Sequence, residues 1–392
     1  MHAEKLLHKI IGKSCQIDKR IINTLFEATA TLTLCKKLSI FGIARALPRT
    51  AKVKHLIKCV DRLFGNKTLH DKKHQLYQGM INLLVKENSK PIIVVDWSGL
   101  TRCGEYHFLR AAITAKGRTL TLYEQSYHIS EYGNYKTHKN FLNILYSLLP
   151  KSCCPIIVTD AGFRNSWFRL VQLFEWDFIG RIRHNTQCKK ADDLSWEPIK
   201  NLYIKATNQA KLLGRFLLAK DGALPCYFYL FKKKKLYREK RNLVGKKIRC
   251  SVSLKHARRE NEPWLIATSI DPGIISAKQV MIIYKKRMQI EESFRDLKNT
   301  GNGFSLRHCR SFSKNRLDIA LLIGALAILV LWIIGMAAKQ KNMQYDFQSN
   351  TVRNYDVLSI LSIGWQVLER RINFSWITIN QALQEIVLCT TN

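Results

Sequence analysis

The amino-acid sequence predicts a mixed α/β protein framed by helical segments, and three observations carry that expectation. Up to about residue 88 the apolar residues recur at helical spacing. Near residue 90 the period changes, and Pro91-Ile92-Ile93-Val94-Val95-Asp96 forms a short apolar run closed by an acid. Such a run is typical of a strand buried on both faces. Pro155-Ile156-Ile157-Val158-Thr159-Asp160 then repeats the pattern, and helices follow each strand group.

Each element can be read in turn. Asp18 to Lys36 reads as a helix, and Leu38 to Leu47 as a short one stopped at Pro48. Between Lys52 and Phe64, residues Val53, Leu56, Ile57, Val60, Leu63 and Phe64 fall on one helical face, while Lys54, Lys58 and Arg62 stack on another. A short helix, a turn and a basic amphipathic helix suit a helix-turn-helix-like DNA reader. A helical bundle with a solvated lysine face has the same pattern. Beyond the first strand, Leu109 to Thr114 and Arg118 to His128 read as strands joined by a Lys116-Gly117 turn. Phe141 to Leu149 reads as a helix and Asp177 to Arg183 as a further strand. Residues 184 to about 262 break the rhythm with strand-like pieces at Leu212 to Leu218 and Cys226 to Phe231. A dense basic stretch from Lys232 to Arg259 includes Lys232-Lys233-Lys234-Lys235. This region reads as an insertion carrying a phosphate-binding surface, although charge runs also form solvated loops. The boundaries that result are a helical DNA-binding domain over 1–88, a core in two parts over 89–183 and 275–340, an insertion over 184–274, and a helical C-terminal region over 341–392.

Composition narrows the function. At 392 residues, with 46% hydrophobic and 10% aromatic content, the chain can bury a large core and is not intrinsically disordered. Its 64 Lys and Arg against 29 Asp and Glu leave a formal charge of +35. Self-repulsion on that scale opposes compactness, so a polyanion is expected to offset it, either nucleic acid or an anionic membrane surface. The 11 cysteines include no Cys-x-x-Cys pair, which leaves a zinc ribbon unsupported and suits a reducing cytoplasm. Ile319 to Ala338 carries no charge and is long enough to cross a membrane. It stands as the single stretch of that length beside a uniformly basic chain, which favours a buried core helix and no membrane. Gly12-Lys13-Ser14 lacks the spaced glycine of a phosphate loop. His308, between Arg307 and Cys309, is a weak candidate for a DNA contact.

The segment Tyr284 to Lys298, YKKRMQIEESFRDLK, carries the densest chemistry. At about 100° per residue, Tyr284, Arg287, Glu291, Arg295 and Lys298 fall within a stripe about 80° wide, with Glu292 outside it. Ile283, Ile290, Phe294 and Leu297 make an adjoining apolar seam. A carboxylate among cations and a phenol suits a site that holds a metal and grips a phosphate. A surface helix laced by Arg287–Glu291 and Glu291–Arg295 pairs would look alike. Asp96 and Asp160, each closing an apolar run, tip the balance, since strand ends present ligand groups in open α/β sheets. Three carboxylates together repel one another, and divalent cations remove that penalty. All-oxygen donors favour Mg²⁺, with Mn²⁺ as a substitute, and a pair of such ions suits an in-line phosphoryl displacement.

Tyr284-x2-Arg287-x3-Glu291-x6-Lys298 has the spacing of the signature of the insertion-sequence-four family of cut-and-paste DDE transposases. The strings VDWS (95–98), VTDAGF (158–163), RMQIEESFRDLK (287–298) and NTVRN (350–354) are most similar to its insertion-sequence-ten branch. The contiguous Tyr237-Arg238-Glu239-Lys240 has the letters without the spacing and carries no site. The resemblance implies an RNase H-like mixed-sheet catalytic core with a β-rich insertion, a helical N-terminal domain and a helical C-terminus. It implies that Asp96, Asp160 and Glu291 are catalytic and hold two Mg²⁺, and that Tyr284, Arg287 and Lys298 grip the DNA backbone, with Arg295 beside them. It places Trp264 where a flipped base stacks, a role that a buried strand tryptophan would not have. The activity implied is end nicking, hairpin formation and opening, and 3′-OH strand transfer into target DNA. The partners implied are double-stranded inverted-repeat ends, target DNA and a second copy of the chain in a synaptic homodimer, formed through the helices around 355–370. A cytoplasmic, prokaryotic setting follows, with the protein on the nucleoid when bound to DNA. Two other functions fit parts of the sequence: a catalytically inactive DNA-binding repressor, and a membrane-associated basic protein built on 319–338.

Overall fold

The computed structural model describes residues 3–12, 15–183, 185–233, 262–311, 313–352 and 355–391. The basic stretch from Lys234 to Arg259, the Tyr237–Lys240 string, Lys13, Ser14, Arg353 and Asn354 lie outside the described residues. The chain is mixed α/β and divides into two compact units, residues 1–155 with 286–392, and residues 156–285.

The first unit begins with five helices, α1 (Ala3–Ile10), α2 (Lys19–Cys35), α3 (Ile40–Ala46), α4 (Val53–Phe64) and α5 (Lys67–Leu84). Their starts follow from capping. Asp18, Ser39 and Asn66 each accept a hydrogen bond from a backbone N–H in the first turn of α2, α3 and α5. The helix α4 starts at Lys52 without a side-chain cap. Its amphipathic pattern buries Leu56, Val60, Leu63 and Phe64, but Val53, expected on that face, is 51% exposed. Val53 occupies the first turn, where no neighbouring element covers it.

Three antiparallel strands follow, β1 (Ile92–Gly99), β2 (Tyr106–Thr114) and β3 (Thr119–His128), and then helix α6 (Tyr135–Leu148). The sequence places Asp96 at the end of its strand, whereas β1 runs on to Gly99 because the ladder to β2 continues through Gly99 opposite His107. Only the burial changes at Asp96, from fully buried to half-buried. A register shift between Ala111 and Ala112 makes Leu122 an extra residue in β3. Such a bulge re-aims the side chains beyond it.

The second unit contains β4 (Ile156–Thr159), α7 (Asn165–Gln172) and β5 (Asp177–Ile182), a βαβ unit with the two strands parallel. Phe168 of α7 lies so close to Gly180 of β5 that a Cβ there would stand 2.3 Å from its ring. β6 (Gln187–Lys190), β7 (Glu197–Pro198), β8 (Lys211–Leu218), β9 (Leu224–Phe231) and β10 (Trp264–Thr268) extend this sheet antiparallel in the order β5-β10-β9-β8-β6-β7. Helix α8 (Ala277–Lys286) closes the unit.

The chain then returns to the first unit with α9 (Met288–Lys298), α10 (Lys314–Gln340), α11 (Gln344–Phe347), α12 (Ile360–Glu369) and α13 (Trp376–Thr391). The long uncharged stretch lies in α10, and every residue from Leu317 to Ala338 is buried inside the unit. α10 packs against α2, α5, α12, α13 and β3, which is the core-helix reading. The contact with α12 is at backbone distance. A Cβ at Gly335 would stand 2.0 Å from the Ile360 carbonyl oxygen, and one at Gly364 would stand 2.2 Å from that of Leu331. The helix around 355–370, expected to pair two copies, buries Ile360, Leu361, Ile363, Trp365 and Val367 within its own unit.

One buried charge lies in α10. Asp318, 1% exposed at its side chain, meets Lys73 of α5, also buried. Its Oδ2 lies 3.3 Å from His70 Nε2, and its Oδ1 accepts hydrogen bonds from Ser126 N (2.8 Å) and Ser126 Oγ (2.6 Å) of β3. Burial pushes this carboxyl up, but the hydrogen bonds from His70, Lys73 and Ser126 and the Lys73 charge outweigh it and hold it below the usual range. A depressed folded-state pKa stabilises the protein above the ordinary aspartate range, and the contribution fades as acid titrates the folded carboxylate. Asp318→Asn strands the buried Lys73 charge, and we expect a loss of about 3–5 kcal/mol, read as a lower urea midpoint at neutral pH.

Candidate active site

The carboxylate of Asp96 stands on β1, half-buried, and its Oδ1 accepts a hydrogen bond from the Trp97 backbone N–H at 2.8 Å. Alternation along the strand sends Trp97 to the opposite face. There its indole N–H donates to His138 Nε2 at 3.1 Å, and its ring meets Tyr127 and Tyr132. Burial pushes His138 down to about 4, so at neutral pH the ring is uncharged and Nε2 can accept. The strand beside Asp96 is thereby braced from behind.

The expected continuous helix from Tyr284 to Lys298 is interrupted. Arg287 is a turn residue between α8 and α9, and the unit boundary falls beside it. The backbone of Arg287 nonetheless stays in the right-handed helical region (φ −50°, ψ −36°), and Arg287 and Glu291 pair at helical i, i+4 spacing. Arg287 stands at the entry to α9 and makes no side-chain capping hydrogen bond there. Its Nη1 lies 2.8 Å from Glu291 Oε1 and 3.8 Å from Asp96 Oδ2. One guanidinium nitrogen thus stands between two of the predicted acids. Glu291 is 43% exposed at its side chain and Asp96 14%.

Lys298, at the end of α9, donates to Ser98 Oγ on β1, on the same strand face as Asp96. Its ammonium lies 5.4 Å from the Phe108 ring centroid and 5.5 Å from that of Phe294. Burial, then the charges of Arg307 and Arg110, push this amine down to about 8, with Asp96 opposing them. Arg295 lies on the same helix. Its guanidinium is 63% exposed and pairs with Glu292 at 2.7 Å, because Glu292 lies one turn back on the same side of α9. Glu291, Phe294, Arg295, Lys298, Asn299, Thr300 and Arg307 line an open cavity of about 440 Å³. Arg307 had no weight in the sequence beyond its place in the basic Arg307-His308-Cys309-Arg310 cluster. The fold brings it next to Lys298.

The second unit carries Asp160, Trp264 and Tyr284. Asp160 sits one residue past the end of β4, and its Oδ1 accepts a hydrogen bond from Gly162 N at 2.8 Å. Trp264 on β10 is half-buried, edge-on to Tyr284 at 5.0 Å, with the Lys233 ammonium 4.2 Å over its ring. Tyr284 itself is buried. In the first unit, Lys54, Lys58 and Arg62 of α4 are all exposed. Lys58 and Arg62 join Arg20, Thr24, His55 and Asn66 around a hollow of about 330 Å³.

Among the described residues, no group of three or more His, Cys, Asp and Glu side chains gathers as a ready metal cage. The first unit offers two oxygen donors, Asp96 and Glu291, around one cation. That donor set is hard, and the guanidinium already occupies the place of a positive charge, so a divalent cation fits the pair chemically.

A model of the transposase DDE domain matches residues 87–329, more than half of the chain, from before β1 into α10. The protein belongs to the transposase DDE domain family. It is accordingly an enzyme of DNA transposition and recombination, with DNA as its substrate, in a family that typically uses divalent metal ions. Comparison with curated proteins gives no match.

Lys298 is charged below about pH 8 and neutral above it. The positive charge it adds to the cavity should therefore fade as pH rises through about 8, and DNA binding that draws on that charge should weaken with it. Lys298→Arg, whose guanidinium stays charged throughout, should flatten that dependence in a binding titration of cleaved end DNA.

Proposed function

We propose that this chain is a cut-and-paste transposase of the insertion-sequence-four family, close to the insertion-sequence-ten branch. Its catalytic core is then RNase H-like, with the mixed α/β architecture compatible with that fold. Asp96, Asp160 and Glu291 hold two Mg²⁺ and carry out the reaction on DNA ends. The observation that carries the reading is the Arg287 guanidinium set between Asp96 and Glu291. A positive charge within 4 Å of both carboxylates favours their ionised forms. When bound, the metal ions supply the acidity that activates the attacking oxygen and stabilises the leaving one.

The chain's own residues do the rest. Once its carboxylate partners are neutralised otherwise, Arg287 is available to a backbone phosphate, and its planar fork suits that group. Lys298, braced by Ser98 and two rings, presents a point charge to a neighbouring phosphate. Arg307 and Arg295 line the same cavity and widen the cationic surface. Tyr284 stands behind Trp264, whose half-buried ring stacks the flipped base of a hairpin intermediate. Lys54, Lys58 and Arg62 contact the duplex end through phosphates. The sequence of steps is hydrolytic nicking, attack of the freed 3′-OH on the opposite strand, hairpin opening, and strand transfer, carried out by a homodimer that synapses two ends.

The test is Mg²⁺-dependent cleavage of DNA carrying the inverted repeats that flank the coding sequence. Asp96→Asn, Asp160→Asn and Glu291→Gln should each lower cleavage on the order of 10³-fold or more and leave end binding intact. Normal cleavage by Glu291→Gln would sink the assignment. In binding titrations, Lys58→Ala and Arg62→Ala should each reduce the slope of log K against log salt by about 0.9; an unchanged slope would remove α4 from the DNA interface.

A further inference from the structure

Arg110 of β2 and Glu124 of β3 are paired directly across the strands and are both fully buried. Arg110 Nε donates to Glu124 Oε2 at 2.7 Å, while Arg110 Nη1 and Glu124 Oε1 have no hydrogen-bond partner. On its other side Arg110 is paired with Asp96 of β1. The register thus lays a row of acid, base and acid across three strands. The β-bulge makes this possible. Without Leu122 as the extra residue, Arg110 would face Tyr123, and Glu124 would point to the other side of the sheet.

The row lies under α9. The Arg110 guanidinium is 5.3 Å from the Phe108 centroid and 5.2 Å from that of Phe294, the two rings that also carry the Lys298 ammonium. The rings themselves meet edge to face at 5.2 Å and 82°. Two cations therefore share one aromatic pair. Arg110 is locked from below by Glu124, and Lys298 is tied to Ser98 at the cavity mouth. A buried ion pair is a weak source of stability, and hydrocarbon of equal volume serves a core as well or better. Its position here has a use that hydrocarbon lacks: it fixes the rings on which Lys298 rests.

We propose that the buried Arg110–Glu124 pair is a positioning device that acts through Phe108 and Phe294 to hold Lys298 in register with Asp96. This rests on the reading of Asp96 and Lys298 given above. Either single substitution would strand a buried charge, so the informative variant is Arg110→Met with Glu124→Leu in the full chain, which removes both charges at similar volume. It is expected to fold with an unchanged or higher Tm. Its kcat for cleaving an inverted-repeat end should fall by roughly tenfold to a hundredfold, with end Kd changed less than about threefold because other phosphate contacts remain. In ¹³Cε-lysine spectra without DNA, assigned with Lys298→Arg, the upfield ring-current shift of the Lys298 methylene should collapse toward the position of a solvated lysine. Ser98→Ala, which cuts the second tether, should lower kcat in the same direction. A folded double variant with native kcat and an unmoved Lys298 resonance overturns the proposal. If the native chain cuts no end at all, the functional reading fails, while the lysine spectrum still decides the positioning.

Discussion

The uncharged residues from Ile319 to Ala338 cannot stay in water, and the first unit is arranged to keep them out of it. α10 is buried on all sides by helices from both ends of the chain and by β3. This constraint orders the rest. Helices that precede the strands and helices that follow them must share one axis, so residues 1–155 and 286–392 form one unit despite the insertion of the second between them. Asp318 then fixes the axis in its slot. It reaches Lys73 and His70 on one side and the Ser126 backbone on the other, so α5, α10 and β3 cannot slide independently. With β3 fixed, the bulged register of β2 and the row ending at Asp96 are fixed too.

Electrostatics at the site follows a similar economy. A chain with a formal charge of +35 places its acids beside its own cations. Arg287 serves two carboxylates, Lys298 rests among aromatic rings near a third cation, and Arg295 is engaged by Glu292. The resting site is therefore internally neutralised at its centre and positive at its rim.

Much of this was legible in the sequence because it depends on local pattern. The runs before Asp96 and Asp160, the basic face of α4 and the apolar length of α10 rest on periodicity and composition, and the structure contains those elements. What depends on pairing was not legible. The extension of β1 past Asp96 needed its partner strand. The break at Arg287 separates Tyr284 from the helix of Glu291, and no glycine or proline in Tyr284–Lys298 announces it. Glu292 claims Arg295 because rotamers, and not the ideal wheel, decide which neighbour is met. Arg110 and Glu124 lie on separate apolar strands, and one bulged residue determines whether they share a face. Arg307 joined the site through a turn whose path the sequence does not specify.

The glycine contact between α10 and α12 has a consequence for shortened versions of this protein. Gly335 and Gly364 allow the two backbones to touch, so α12 covers part of one side of the apolar axis. A polypeptide that stopped between Lys341 and Ser359 would retain all 27 residues of α10 and lose that cover. Bared along part of one side, such a segment satisfies the length rule for a bilayer span. Premature termination there would create a species drawn to lipid or to its own kind, and its misdirection would owe nothing to damage at the acids.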